Sequence, residues 1–257
     1  MLGLFERLAL AAGREIMRVY HAGFEVDRKA DASPVTEADR RAEEIILAGL
    51  REAFPTIPCV AEEEVSAGIV PADLGRAFFL IDPLDGTKEF VNRRTDFTVN
   101  IALVRDGVPA VGVVFAPCTG RLFSGRPGYA EAAEADADFA VAARRTISVR
   151  AGATPPAVVA SRSHNTPETD AYIASLGAAE IVSVGSSLKF CLLAEGVADV
   201  YPRFGRTMEW DTAAGDAVLR AAGGSTATLD GAPLAYGKRK QAHDADFANP
   251  HFIARGR

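Results

Sequence analysis

Between Phe78 and Phe90 the chain reads FFLIDPLDGTKEF, in which four apolar residues run into Asp82 and a second acid, Asp85, follows three positions later. The apolar run has the texture of a buried strand. A buried carboxylate without a partner is costly, and two close together are worse. A chain built around this stretch must therefore bring positive charge to the end of a core strand. Pro83 keeps its neighbour out of a ladder and Gly86-Thr87 permits a tight turn. The strand is thus expected to stop at Asp82 and to present two acid side chains and the Leu84 carbonyl. Hard oxygen donors of this kind suit Mg2+ or Mn2+ and not zinc. A plain surface turn rich in Asp, Pro and Gly accounts for the same letters.

The rest of the chain can supply the core. With 257 residues, 48% hydrophobic and 24% charged, it suits one large domain or two intimately packed ones. A formal charge of -6 argues against a nucleic-acid surface but leaves single nucleotides open. Cys59, Cys118 and Cys191 are odd in number and form no CxxC pair, as expected of reduced core residues in a cytoplasmic protein. The opening MLGLFERLALAAGREIMRVYHAG carries Glu6 and Arg7 inside its apolar pattern, so neither a signal peptide nor an integral membrane segment is expected.

Phe5, Leu8, Ala9, Ala12, Ile16 and Val19 fall at helical spacing, and SPVTEADRRAEEIILAGLREAF predicts a second helix through Ala38, Ala42, Ile45, Ile46 and Leu50. PCVA and AFFLI read as strands, and DFTVNIALV and VPAVGVVFAP as an antiparallel hairpin across Asp106-Gly107. The Ala/Glu/Asp-rich tract over 130–145 is of low complexity, and the domain boundary is placed just after it. Beyond it short strands alternate with helices: PAVVAS, PETDAYIASL, EIVSV, SLKFCLLAEG, DVYPR and DTAAGDAVLRAAGG. The expectation is an α+β half over 1–145 followed by an α/β half over 146–257, without internal repeats.

Three more acidic features accompany the paired aspartates. CVAEEEV sets Glu62, Glu63 and Glu64 directly after a short apolar run, either as ligands or as a solvated charged face. EWDTAAGDAV places Asp211 at a helix start, where an ordinary N-cap is the plainer explanation. SPVTEAD ends in Asp39, which also completes a capping box opened by Thr36. On the basic side, Lys189 and Arg203 suit an anion or simply face solvent, His164 after SRS suits a ligand or a surface, and Trp210 suits the core.

Taken together, SPVTEAD, AEEE, DPLDGTKEF, DFTVNIALV and WDTAAG resemble the lithium-sensitive, Mg2+-dependent inositol monophosphatase superfamily, from about Lys29 to Ala222. SRSH, GSSLKFCLLAEG and YPRFG resemble its CysQ branch, the 3'(2'),5'-bisphosphate nucleotidases of sulfur metabolism. The resemblance implies a layered αβαβα sandwich of two packed halves, the first carrying most metal ligands and the second the specificity residues and Asp211. It implies Mg2+ held by Glu62, Asp82, the Leu84 carbonyl, Asp85 and Asp211, as two ions with a third on Glu62 through waters. It assigns catalytic roles to Asp39, Glu63 and Thr87, which orient a water and accept its proton. Substrate binding is implied for Glu62, Asp85, Gly86, Thr87, His164, Ser186, Lys189, Arg203 and Asp211. Three consecutive glutamates leave the register open by one, so Glu62 as ligand rests on Ala61 ending its strand. The implied substrate is a small molecule, adenosine 3',5'-bisphosphate, acted on by a monomer or homodimer with no nucleic-acid partner. An inositol or other sugar-phosphate monophosphatase of the same superfamily is the alternative. A non-catalytic metal- and nucleotide-binding sensor is the alternative from another class.

Overall fold

The computed structural model describes residues 1–29, 34–161, 166–177 and 180–257; His164 lies outside them. The chain opens with α1 (Leu2–Ala22), β1 (Val26–Arg28), β2 (Pro34–Thr36), α2 (Glu37–Ala53), β3 (Cys59–Ala61) and α3 (Glu62–Ser66). It continues with β4 (Ala77–Asp85), α4 (Thr87–Val91), β5 (Thr98–Arg105), β6 (Val108–Ala116), β7 (Arg121–Arg126), β8 (Tyr129–Ala135) and β9 (Val141–Thr146). The remainder is β10 (Ala157–Ser161), α5 (Pro167–Ser175), β11 (Glu180–Val184), α6 (Leu188–Ala194), β12 (Val200–Arg203), α7 (Glu209–Ala221), β13 (Ser225–Thr228) and β14 (Phe252–Arg255).

β3 to β9 form a seven-stranded sheet in chain order, parallel only between β3 and β4. The second sheet runs β11-β10-β12-β14-β13, with its first three strands parallel and the rest antiparallel. Because successive side chains of a strand face opposite ways, β4 splits its apolar residues between two cores. Phe79 and Ile81 join α1 and α2, whose Phe5, Ala12, Ile16, Ala42 and Ile46 are buried against them. Phe78 and Leu80 face α6 and α7 together with Val159, Tyr201 and Phe252 of the second sheet. The other face of that sheet, through Val158, Ala160 and Val200, packs on Ile173 and Tyr172 of α5. The layers are therefore helix, sheet, helix, sheet, helix, the αβαβα sandwich that the resemblance implies. α7 lies so close on the first sheet that a Cβ at Gly112 would stand 2.3 Å from the Ala214 carbonyl oxygen.

The predicted hairpin is present: Asp106 (φ 51) and Gly107 (φ 75) form the two-residue turn between β5 and β6, with the left-handed angles such a turn needs. Three details differ from expectation. β4 does not stop at Asp82 but runs to Asp85, because Asp82 pairs with Asn100 and Asp85 with Thr98. Three steps on β4 thus face two on β5, so the DPLD segment is a bulge around Pro83, which has no N–H for the ladder. α2 starts at Glu37, since Pro34–Thr36 pair with β1. The low-complexity tract forms β8 and β9, in which Ala130, Ala132 and Ala133 are buried. Its many alanines are poor strand formers alone, and pairing with β7 supplies what propensity does not.

Candidate active site

The bulge in β4 turns Asp82 and Asp85 toward one place, where the first sheet meets the N-terminal end of α7. Here a cavity of about 260 Å3 is lined by the acids Glu62, Asp85 and Asp211, by Gly86 and Thr87, and by Ser186, Lys189, Arg203 and Arg206. Asp82 lies beneath it, 1% exposed, and its Oδ1 accepts the Leu84 N–H at 3.1 Å. Burial pushes the Asp82 carboxyl well above the usual range, and the charges of Glu62, Asp85 and Asp211 push it the same way. Asp211 rises to about 8, by burial first and then by Asp85 and Glu62. Asp85 is raised by burial, against the opposing pull of Lys189 and Ser187.

Two helix starts deliver carboxylates to this region. At α2, the Asp39 Oδ2 accepts the Thr36 N–H and hydroxyl, each at 2.8 Å, and completes the predicted capping box. Its other oxygen, Oδ1, lies 3.1 Å from the Thr87 hydroxyl, which is also 3.2 Å from the Leu84 carbonyl. One carboxylate therefore serves both readings of Asp39, with one oxygen for each. At α7, Asp211 stands in the first turn and its Oδ2 accepts the Met208 N–H at 2.8 Å. Gly86, between β4 and α4, has φ 94, and a Cβ there would stand 3.1 Å from the Asp96 carbonyl. The chain can turn there only without a side chain.

β3 ends at Ala61 and α3 begins at Glu62. Lys29 Nζ donates to Glu62 Oε1 and Glu63 Oε1, each at 2.6 Å, while Glu64 turns away to Arg51. Glu62 lines the cavity and Glu63 does not; Glu63 faces a second hollow alongside Glu43 and Lys29. Burial pushes the Glu63 carboxyl to about 7, with Glu62 adding to the rise and Lys29 opposing it. On the basic side Lys189 is 5% exposed, its Nζ 5.5 Å from the Tyr201 ring centre, and burial lowers it to about 8 against the pull of Asp85. Ser186 has φ 49, a strained angle for a side-chain-bearing residue, and its buried hydroxyl has no hydrogen-bond partner among the described residues.

The structure adds residues that sequence reasoning left out. The Ser187 N–H donates to Asp85 Oδ2 at 2.6 Å, and its hydroxyl accepts from Asn100 Nδ2 at 2.9 Å and donates to the Asp211 carbonyl at 2.6 Å. Ser187 thus ties the second half of the chain to the bulge of the first. Nothing in the string GSSLK distinguishes it from Ser186. Lys29 carried no signal beyond its charge, and Glu43 only its place one helical turn after Asp39.

The carboxylates and the Leu84 carbonyl make an all-oxygen set, and the largest outside charges acting on Asp82 are three further acids. Such a set fits a hard divalent cation. Among the described residues no three side chains stand at ligand spacing as they are placed, each acid being turned to a protein donor: Glu62 to Lys29, Asp85 to Ser187, Asp211 to Met208.

The model of the inositol monophosphatase family matches residues 2–254. The chain belongs to the inositol monophosphatase family. Among its relatives, the 3'(2'),5'-bisphosphate nucleotidase CysQ of Escherichia coli (strain K12) is 46% identical over 248 residues, 96% of each chain. The CysQ of Buchnera aphidicola is 40% identical over 256 residues, 99% of this chain and 93% of that one. Among solved structures, CysQ from Bacteroides thetaiotaomicron, described as a bacterial member of the inositol monophosphatase family, superposes with a TM-score of 0.78 at 38% identity, covering 97% of this chain and 94% of that one. As a member of the inositol monophosphatase family the chain shares the layered fold described above. No helix among its described residues is long and apolar enough to cross a membrane.

Proposed function

We propose that this protein is a 3'(2'),5'-bisphosphate nucleotidase that hydrolyses the 3'-phosphate of adenosine 3',5'-bisphosphate to give AMP and phosphate. The observation that carries this reading is that one cavity lining holds both acids, Glu62, Asp85 and Asp211, and cations, Lys189, Arg203 and Arg206. A substrate with two phosphates has a use for both sets, whereas a monophosphate has a use for one.

The acids are the place for Mg2+, with Glu62, Asp82, the Leu84 carbonyl, Asp85 and Asp211 as its protein donors. When bound there, the cation neutralises phosphate charge and makes water acidic enough to be deprotonated near neutral pH. The protein's own groups then do the rest. Glu63, whose carboxyl sits near 7, is assigned the proton of the attacking water, for which its carboxylate must exchange its bond to Lys29 and its place in the second hollow for one in the cavity. Thr87, held by Asp39 Oδ1, orients that water through its hydroxyl. The water oxygen bonds to phosphorus as the bond from phosphorus to the 3'-oxygen breaks and the 3'-oxygen takes up a proton from solvent, so the nucleotide leaves as AMP. The Gly86 and Thr87 N–H groups contact the phosphate being cleaved. The remaining 5'-phosphate meets Lys189 and Arg203, with the Ser186 hydroxyl as a further donor and His164 assigned to the nucleotide side.

The deciding experiment measures kcat/KM for adenosine 3',5'-bisphosphate and inositol 1-phosphate side by side, in Mg2+ and in excess chelator. We expect at least tenfold preference for the bisphosphate, since a hydrogen bond to a charged group contributes about 1.5–3 kcal/mol. Equal or faster turnover of inositol 1-phosphate overturns the substrate assignment. Activity in excess chelator overturns the metal dependence.

A further inference from the structure

α3 is five residues long, and its N-cap, Ala61, has no side chain that can accept a hydrogen bond. The first N–H groups of any helix lack partners within it, and a single turn has little stability of its own. The direction taken by the chain at Glu62 and Glu63 must therefore be set from outside. Glu43 of α2 sits behind this turn, 4% exposed. Its Oε2 accepts the Glu63 N–H at 2.8 Å and its Oε1 accepts the Glu64 N–H at 2.9 Å.

We propose that Glu43 is a positioning residue for the hydrolytic reaction: by gripping these two amides it fixes the turn that carries Glu62 and Glu63, and so aims both carboxylates. The inference rests on the roles given to Glu62 and Glu63 above. Glu43 and Asp39 are four residues apart, hence on one face of α2. Asp39 holds Thr87, and Glu43 holds the backbone of Glu63. A single rigid helix thereby sets the two water-handling groups relative to each other. A glutamate supplies what Ser, Thr or Asn cannot, two acceptor oxygens at the end of a long side chain reaching from a neighbouring helix.

The test compares the wild type with Glu43→Gln, which keeps shape but turns one acceptor into a donor facing an N–H, and with Glu43→Asp, which keeps the charge but reaches one amide at most. Mg2+ binding to the protein alone is read by calorimetry, kcat at saturating Mg2+ by hydrolysis of adenosine 3',5'-bisphosphate, and folding by thermal melting. Groups that orient ligands in this way are typically worth about 10- to 100-fold in metal affinity or activity. Glu43→Gln should lose that much in both, with Glu43→Asp in between. Asp199→Asn is the control, since Asp199 is also buried and also accepts a backbone N–H, that of Ala157, away from the cavity. It should lower the melting temperature and leave Mg2+ affinity and kcat as in the wild type. If Glu43→Gln behaves like this control, the proposal is overturned and Glu43 is a cap only. If Glu43→Gln does not fold, Glu43→Asp carries the same readouts, and failure of both to fold assigns Glu43 to the fold and overturns the proposal. A wild type that binds no Mg2+ overturns the metal reading as well, and calorimetry separates that outcome from the others without any turnover.

Discussion

The acids and the cations of the cavity lining come from different parts of the fold. Asp82 and Asp85 belong to the seven-stranded sheet, where they are part of β4 itself and are paired with Asn100 and Thr98 of the neighbouring strand. Lys189 and Arg203 come from the short helix α6 and the end of β12, and Ser186, just before α6, holds a left-handed angle. Among the acids, the charges of Glu62, Asp85 and Asp211 all act against Asp82, while Lys189 and Ser187 offset Asp85 and the Met208 N–H and Arg203 offset Asp211. Among the cations, the Lys189 ammonium lies over the Tyr201 ring and bonds the Ser186 carbonyl, so it is supported within the protein. Asp82 and Asp211 thus stand against neighbouring acids, whereas Lys189 has partners of its own, beside a Ser186 hydroxyl that has none among the described residues. Mutations should divide along that line.

The strongest way to break the division is Asp82→Asn. Loss of a metal donor removes part of an electrostatic stabilisation worth several kcal/mol, so kcat should fall on the order of 10³-fold. Stability should move the other way. A carboxyl raised in the fold favours folding at low pH and ceases to as pH rises through its folded value, which for Asp211 means a loss between about 4 and about 8. In excess chelator the wild type should therefore melt lower as pH rises across that window, and Asp82→Asn should reduce the slope. A variant that melts well below the wild type in chelator at pH 8 would mean that Asp82 is structural.

Glu63→Gln comes next, with kcat reduced roughly 10²-fold or more, as for loss of a general base, and a smaller change in Mg2+ affinity than in Glu62→Gln. Among the cations, Lys189→Ala should cost about tenfold or more in kcat/KM for adenosine 3',5'-bisphosphate and scarcely touch a small phosphate monoester. The same contact should weaken with pH: Lys189 sits near 8 and a lysine loses its charge above its pKa, so KM for the bisphosphate should climb above pH 8. A KM that is flat from pH 7 to 9 would remove Lys189 from the phosphate. The smallest effect is expected at Glu64→Gln, which loses only its pair with the half-exposed Arg51, worth about 0.2–1 kcal/mol, and leaves kcat alone. Severe loss of activity there would shift the roles of the three glutamates by one position.

Much of this architecture was legible in the chain as written. Helical spacing marked α1 and α2, alternating strands and a two-residue turn marked β5 and β6, and short strands alternating with helices marked the second half. Period and turn chemistry are local properties, which is why they survive in one dimension. The low-complexity tract failed as a signal because Ala130, Ala132 and Ala133 say little until β7 lies beside them.

The site divides in the same way. Asp82 and Asp85, after an apolar run, marked a costly pair in need of a cation, whereas Glu62 and Asp211 read locally as a charged face and an N-cap and joined that pair only through the resemblance. Asp39 read locally as a helix cap, and the resemblance added a part in orienting water. In the structure one of its oxygens caps the helix and the other lies 3.1 Å from the Thr87 hydroxyl. Nothing local announced that one extra residue in β4 would bring Asp82 and Asp85 together, that Ser187 would reach Asp85 from 102 positions away, or that Glu43 would grip the turn after β3. Those contacts depend on strand register and on helices laid across a sheet, and such long-range distances exist only once the whole core has packed.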